Sequence, residues 1–171
     1  DLLHRSNCRF EKAKFLQLTQ RMNLEEYTDE LEKIAVIWRG DELEIDILTS
    51  LGDAYLQMKE YSNALKSWDV IVKYYPYSPE SLNLGRKMGD TFVKFFLEGK
   101  DENVPHIKAL ALFYEFEYLV PIGEVGDEVV LRFADHLLAL DLLDRASGIL
   151  QHQVSNRLKG TKRELAINKL A

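Results

Sequence analysis

Four histidines and one cysteine are the strongest potential ligands and nucleophiles in this 171-residue chain. His4, His106, His136 and His152 are not spaced as metal ligands. No H-E-x-x-H occurs, and Cys8 alone cannot make a thiolate zinc site. His136 directly follows Asp135, but neighbours on a helix point about 100° apart and make poor partners. Phosphate-cradling loops of the GxGxxG or GK[ST] kind are absent, and Gly85 and Gly89 fall inside a helical pattern. Gly123 and Gly126 lie in a linker ahead of a helix, where an anion could be held at the N-terminus; a plain linker is the simpler reading. No Ser-His-Asp or Cys-His arrangement is specific enough to assign roles. These absences lead us to expect a chain that is not an enzyme and uses no cofactor and no metal. Cys8 reads as a small buried or half-buried residue.

Two groups of residues remain that could recognise a partner. Asp53, Asp90 and Asp135 each directly follow a small residue: Gly52, Gly89 and Ala134. Placed alike on successive helices, they would form a row of carboxylates suited to a basic or amine-bearing ligand. Asp46 and Glu128 flank the same surface, and Arg86 and Lys94 on the middle helix partly offset its charge. The alternative is that short polar residues are simply common at such sites. The second group is aromatic. Phe113 and Phe116 belong to the core by pattern, whereas Tyr114 and Tyr118 fall one turn apart and could form a patch on an outer face. The alternative there is that the inserted residues 98–104 fold over them.

The elements that must position these residues are helices. Leu48, Leu51, Gly52 and Tyr55 share one face of a first helix; Ala64, Trp68 and Ile71 share one face of a second. A turn at Met58-Lys59-Glu60 joins them, and Pro76 stops the second helix. The pattern recurs. Met88-Gly89 and Phe92, then Ala109, Phe113 and Pro121, repeat it with eight extra residues between the helices. Phe133-Ala134 and Leu137, then Ala146 and Leu150, repeat it again. Gly52, Gly89 and Ala134 are expected to be buried at helix crossings, facing Ala64, Ala109 and Ala146.

This L-G-x2-Y, A-x3-F, P pattern, with its period of about 34 residues, resembles the tetratricopeptide (TPR) repeat. Leu48 stands where that family often has Trp, and Ile71 replaces a usual small residue. The resemblance implies an all-α fold, a right-handed α-solenoid of antiparallel helix hairpins forming a TPR-like superhelix. Residues 1–171 divide into a degenerate helix pair at 8–40, a repeat at 45–78, a repeat at 80–121 with an inserted turn at 98–104, a repeat at 126–158 and a partial final helix at 161–171. Because that last helix stops in mid-pattern, the chain reads as part of a longer array. In such arrays the Asp53, Asp90 and Asp135 positions face a concave groove. The implied function is protein–protein interaction, with an extended or helical segment, carrying spaced Lys or Arg, held in that groove. A structural spacer or self-association element of a larger bacterial envelope protein is the alternative.

Trp38-Arg39-Gly40-Asp41, Ala111-Leu-Phe-Tyr-Glu-Phe, Pro121-Ile-Gly, Gly126-Asp-Glu, Asp141-Leu-Leu-Asp and Leu150-Gln-His-Gln-Val are similar to stretches of a family of large TPR proteins of alphaproteobacteria. That likeness favours a bacterial periplasm or envelope, with the cytoplasm as alternative, and brings no catalytic residues with it. Composition agrees with a binding module. A net charge of -6 argues against nucleic acid, which needs a basic surface. No apolar run approaches the ~18 residues of a membrane span, so membrane insertion is not expected.

Overall fold

The computed structural model describes residues 1–98, 104–156 and 160–170; for residues 156 and 160–162 it describes the backbone only. The described residues are helical, without strands. The helices are α1 (Leu2–Leu18), α2 (Leu24–Ile37), α3 (Asp41–Gln57), α4 (Tyr61–Tyr74), α5 (Pro79–Glu98), α6 (His106–Glu115), α7 (Glu124–Ala139), α8 (Leu143–Asn156) and α9 (Gly160–Leu170). A 3-10 turn, Glu117–Leu119, follows α6. By its contacts the chain divides into two compact units, Asp1–Met88 and Gly89–Ala171, with the boundary inside α5. Helices neighbouring in sequence pack on one another: α1 on α2, α2 on α3 and α3 on α4 in the first unit, α6 on α7, α7 on α8 and α8 on α9 in the second. No helix among the described residues is long and apolar enough to cross a membrane.

Local sequence explains the boundaries. At the start of α2, Asn23 Oδ1 accepts from Glu26 N–H at 2.8 Å and Glu26 Oε2 accepts from Asn23 N–H at 3.1 Å, a reciprocal capping box. At α5, Ser78 Oγ accepts from Ser81 N–H at 3.2 Å while Pro79 occupies the first turn, where its missing N–H costs nothing. Helices α1, α3 and α7 end identically. Gln20, Lys59 and Asp141 take φ of 58°, 61° and 59°. The next N–H then reaches back across the turn, from Arg21 to Leu16 O, Glu60 to Tyr55 O and Leu142 to Leu137 O, at 2.8–3.0 Å. This is the Schellman closure, which satisfies a carbonyl at the helix end and reverses the chain. After this shared ending α4 and α8 start at the very next residue, Tyr61 and Leu143, whereas α2 starts three residues later, at Leu24, behind its own capping box.

Several sequence expectations need correction. Helix α1 begins at Leu2 and not near Cys8, because Asp1 Oδ1 accepts from Leu3 N–H at 3.1 Å and caps the lead-in residues into the helix. Cys8 is exposed, on the face of α1 opposite Phe10 and Ala13. Past the end of α2, the Trp38 indole N–H donates to Gly40 O at 3.1 Å. Gly126 is no linker residue. It lies in the first turn of α7, buried, because the Pro121 carbonyl closes over it; an added Cβ there would overlap that carbonyl. Helix α6 stops at Glu115, six residues before Pro121, with Phe116 buried beneath the 3-10 turn. Residues 99–103 of the expected inserted turn, Leu158, the Thr161 side chain and Ala171 lie outside the described residues.

The α3–α4 hairpin is a close crossing. Ala64, Leu65, Trp68 and Ile71 of α4 are fully buried against Leu48, Leu51, Gly52 and Tyr55 of α3. Gly52 faces the Trp68 indole, not Ala64: an added Cβ would lie 2.6 Å from Trp68 Cδ1 and 2.7 Å from Cε2. Ala134, Ala109 and Ala146 are fully buried as expected. Gly89 is only half-buried, and a Cβ there would meet nothing within 4 Å. The difference has a packing cause. In the second unit α5 meets α6 through bulky rings, Phe92 and Phe96 on Phe113 at centroid distances of 6.0 and 5.7 Å, which hold the backbones apart. Phe113 in turn stacks on Phe133 of α7, 3.7 Å apart and 8° from parallel.

Candidate functional site

The three carboxylates of the expected row have different surroundings. Asp53 on α3 is engaged by Lys87 of α5, Nζ to Oδ1 2.6 Å, with both side chains about 40% exposed (39% and 41%). The same ammonium sits 4.8 Å from the Trp68 ring centroid, where the face of the indole attracts a cation. Gly52, Trp68, Lys87 and Asp53 are therefore one contact chain, in which the missing side chain at Gly52 admits the indole that carries the lysine. In the second unit Asp135 on α7 is engaged by Lys169 of α9, with Arg132 a further 4.0 Å away. Both lysines lie 34 residues beyond their aspartates. The joints tie α3 to α5 and α7 to α9.

Asp90 differs. It is exposed on α5, with no ion-pair partner among the described residues. Arg86 and Lys94 are exposed four residues before and after it, so α5 carries a stripe of alternating charge along one face. Lys94 continues that stripe to Glu98 at 3.9 Å. Asp46 is exposed near the start of α3, and Glu128 on α7 lies 3.8 Å from Arg132. The structure thus brings Asp53 and Asp135 to lysines, and leaves Asp46, Arg86, Asp90 and Lys94 facing solvent.

Tyr114 and Tyr118 are not one helical patch. Since α6 ends at Glu115, Tyr118 falls in the 3-10 turn, 55% exposed beside Phe116, with ring centroids 6.2 Å apart. Tyr114 is 44% exposed and turned toward the later helices: its ring meets Phe133 edge-on at 5.4 Å, and Arg145 of α8 lies 5.9 Å from its centroid and donates to its hydroxyl at 3.3 Å.

Two clusters escaped the sequence reading. Glu44 is 5% exposed, yet it is a carboxylate. It accepts from Gly40 N–H at 2.6 Å, Tyr75 Oη at 2.5 Å and Arg39 Nη1 at 3.1 Å. Burial raises its pKa, but these three donors outweigh burial and hold it below the usual carboxylate range. Hydrogen bonding to Glu44, with burial second, pushes the Tyr75 phenol up to about 12. In sequence, Glu44 looked like one more acidic residue in a helix's first turn. Glu32 similarly accepts from the buried Tyr55 hydroxyl, linking α2 to α3; burial and that bond raise the Tyr55 pKa.

The second cluster is His106 and His136, thirty residues apart in sequence, with Nδ1 atoms 2.8 Å apart. Nothing in their local spacing signals the meeting, which depends on how α6 lies on α7. Among the described residues no three His, Cys, Asp or Glu side chains converge as a metal-holding group. No protein-family model matches the chain, and no curated protein matches it.

Proposed function

We propose that this chain is a protein-binding scaffold, a right-handed α-solenoid of TPR-like hairpins without catalytic chemistry of its own, that holds an extended or helical partner segment along its first helices. One observation supports it: the Asp53–Lys87 and Asp135–Lys169 ion pairs, each spanning 34 residues, link α3 to α5 and α7 to α9 at the interval of one repeat. A hairpin stack whose first helices line up offers a continuous polar surface for a partner segment, which a single hairpin lacks. With Asp53 and Asp135 engaged by lysines, the charges open to a partner are Asp46, Arg86, Asp90 and Lys94. Their alternating sign suits a segment of mixed charge, with a Lys or Arg opposite Asp90, better than a uniformly basic one.

Selection of peptides from a displayed random library on the immobilised chain tests this. Recovered sequences should carry a basic residue at a fixed place, and Asp90→Asn should weaken them about 1.4- to fivefold, as loss of an exposed ion pair worth about 0.2–1 kcal/mol does. The effect should fade in about 1 M salt. Peptides that bind Asp90→Asn and the parent equally would remove the surface from consideration. No recovered peptide, together with self-association in sedimentation, would favour the spacer or self-association reading.

A further inference from the structure

We propose that His106 and His136 form a two-imidazole binding site for a divalent late transition metal ion, with copper(II) held most tightly. His106 is the first residue of α6 and is exposed; His136 lies in the last turn of α7 and is half-buried. Their Nδ1 atoms are 2.8 Å apart and their ring centroids 5.1 Å. The Phe96 ring meets His136 nearly at right angles, 79° at 6.1 Å, so packing fixes one imidazole while the other sits at a solvent-exposed helix start and can turn.

As they stand, one Nδ1–H donates to the other Nδ1. With metal–nitrogen bonds of about 2.0–2.1 Å, neighbouring ligands of a square-planar ion lie roughly 2.9 Å apart and those of a tetrahedral ion roughly 3.3 Å apart. The observed 2.8 Å matches the first arrangement and is close to the second. Rotation of the His106 ring, with both protons on Nε2, would aim both lone pairs at one point. Burial, and next the neighbouring His106, hold the His136 pKa below the ordinary histidine value. Water would complete the coordination, because no third protein ligand among the described residues joins the pair. Such a site is exchangeable, and the stability order of divalent ions places copper(II) above nickel(II) and zinc(II).

The test is calorimetric titration of tag-free, chelator-treated protein with copper(II), nickel(II), zinc(II) and magnesium(II) chlorides, with the copper spectrum read by electron paramagnetic resonance. One copper per chain should bind with nitrogen hyperfine structure, nickel and zinc should bind more weakly, and magnesium should not bind. His106→Gln removes a ligand from an exposed position without disturbing the core, and His136→Gln removes the other. Each should weaken copper by at least the roughly 10–100-fold that loss of a ligand's supporting hydrogen bond costs. His4→Gln and His152→Gln should leave it unchanged. The proposal falls if no copper binds, or if affinity survives His106→Gln and is lost in His4→Gln, which would put the ion at His4 and Cys8 (Nε2 to Sγ 3.7 Å).

Discussion

Replacing Gly52 with alanine should destabilise the first unit, although the same change at Gly148 should stabilise the chain. A glycine inside a helix costs roughly 0.5–1 kcal/mol relative to alanine through backbone entropy. Gly148 in α8 shows that term alone: a Cβ there meets nothing within 4 Å, so Gly148→Ala should gain up to about 1 kcal/mol. At Gly52 the new methyl would lie 2.6 Å from Trp68 Cδ1, where methyl contacts are normally near 3.5–4 Å. The indole cannot step aside, since it is fully buried and Lys87 covers its face. Overpacking of this kind costs about 1–3 kcal/mol. For a boxed-in indole the upper part of that range, about 2–3 kcal/mol, applies; set against the propensity gain it leaves a net loss of about 1–2.5 kcal/mol, or a fall in Tm of roughly 2–10 °C for a chain of this size. Both tryptophans, Trp38 and Trp68, lie in the first unit, so urea unfolding followed by tryptophan fluorescence reads the change where it occurs. A double-mutant cycle isolates the cause. Trp68→Ala alone should cost about 3–5 kcal/mol. In that background Gly52→Ala should turn from destabilising to neutral or stabilising. A Gly52→Ala protein as stable as the parent, or a cost that persists without Trp68, would refute the close-approach argument.

Two further variants follow from the same kind of accounting. Glu44→Gln leaves three donors facing an amide that can no longer satisfy them as a carboxylate does, and should cost about 1–3 kcal/mol by urea unfolding. Because the folded-state pKa of Glu44 is depressed, its contribution is complete above the unfolded value of about 4.3 and is lost as pH falls through the folded value. The parent should therefore lose stability, as pH falls below about 4.3, more steeply than Glu44→Gln, and equal slopes would remove the carboxylate from the explanation. Phe133→Ala opens the stack on Phe113 at the centre of the second unit and should cost about 3–5 kcal/mol, measured by loss of helical circular dichroism on heating; a cost under about 1 kcal/mol would mean the rings are not the core of that unit.

How much of this was legible depended on whether a feature was periodic or private. Helix faces repeat every few residues, so the buried stripes of α2, α3, α4 and α7 could be read before any coordinates were at hand. Caps with a side-chain signature were equally legible: Asn23 with Glu26, and Ser78 before Pro79, lie where their chemistry says a helix starts. Turns closed by backbone alone were not. Gln20, Lys59 and Asp141 share one left-handed conformation, but three different side chains give no common signal. The end of α6 was missed because its cause is the burial of Phe116 under the next turn, while the visible breaker, Pro121, stands six residues further on. Gly126 looked like linker for a related reason. Its smallness serves a carbonyl five residues upstream, and a glycine in sequence does not say whether it frees a turn or makes room for a neighbour.

The carboxylates show where single-face reading stops. Counting from the small residue of each hairpin gives Asp53, Asp90 and Asp135 matching places in the sequence pattern, and an unpartnered row of acids there would attract a basic ligand. A face, however, has neighbours, and the neighbour of one first helix is the next. Lys87 and Arg132 each stand two residues before their own small residue, Gly89 and Ala134, and Lys169 follows Asp135 at the same 34-residue interval as Lys87 follows Asp53. The sequence therefore contains a second signal, a base three residues before the acid at Lys87 and Arg132; Lys87 meets the Asp53 of the preceding hairpin, whereas Arg132 lies beside Glu128 and Asp135 of its own helix. Read together, the two signals describe joints between hairpins more than a ligand-binding row. Exposed ion pairs of this kind contribute little stability singly; their effect is on register, because a helix shifted by one residue would carry its lysine away from the aspartate. Asp90 is the acid whose copy carries the inserted residues, and it is the one left exposed. That coincidence is why it, and neither Asp53 nor Asp135, is the carboxylate to test for partner recognition.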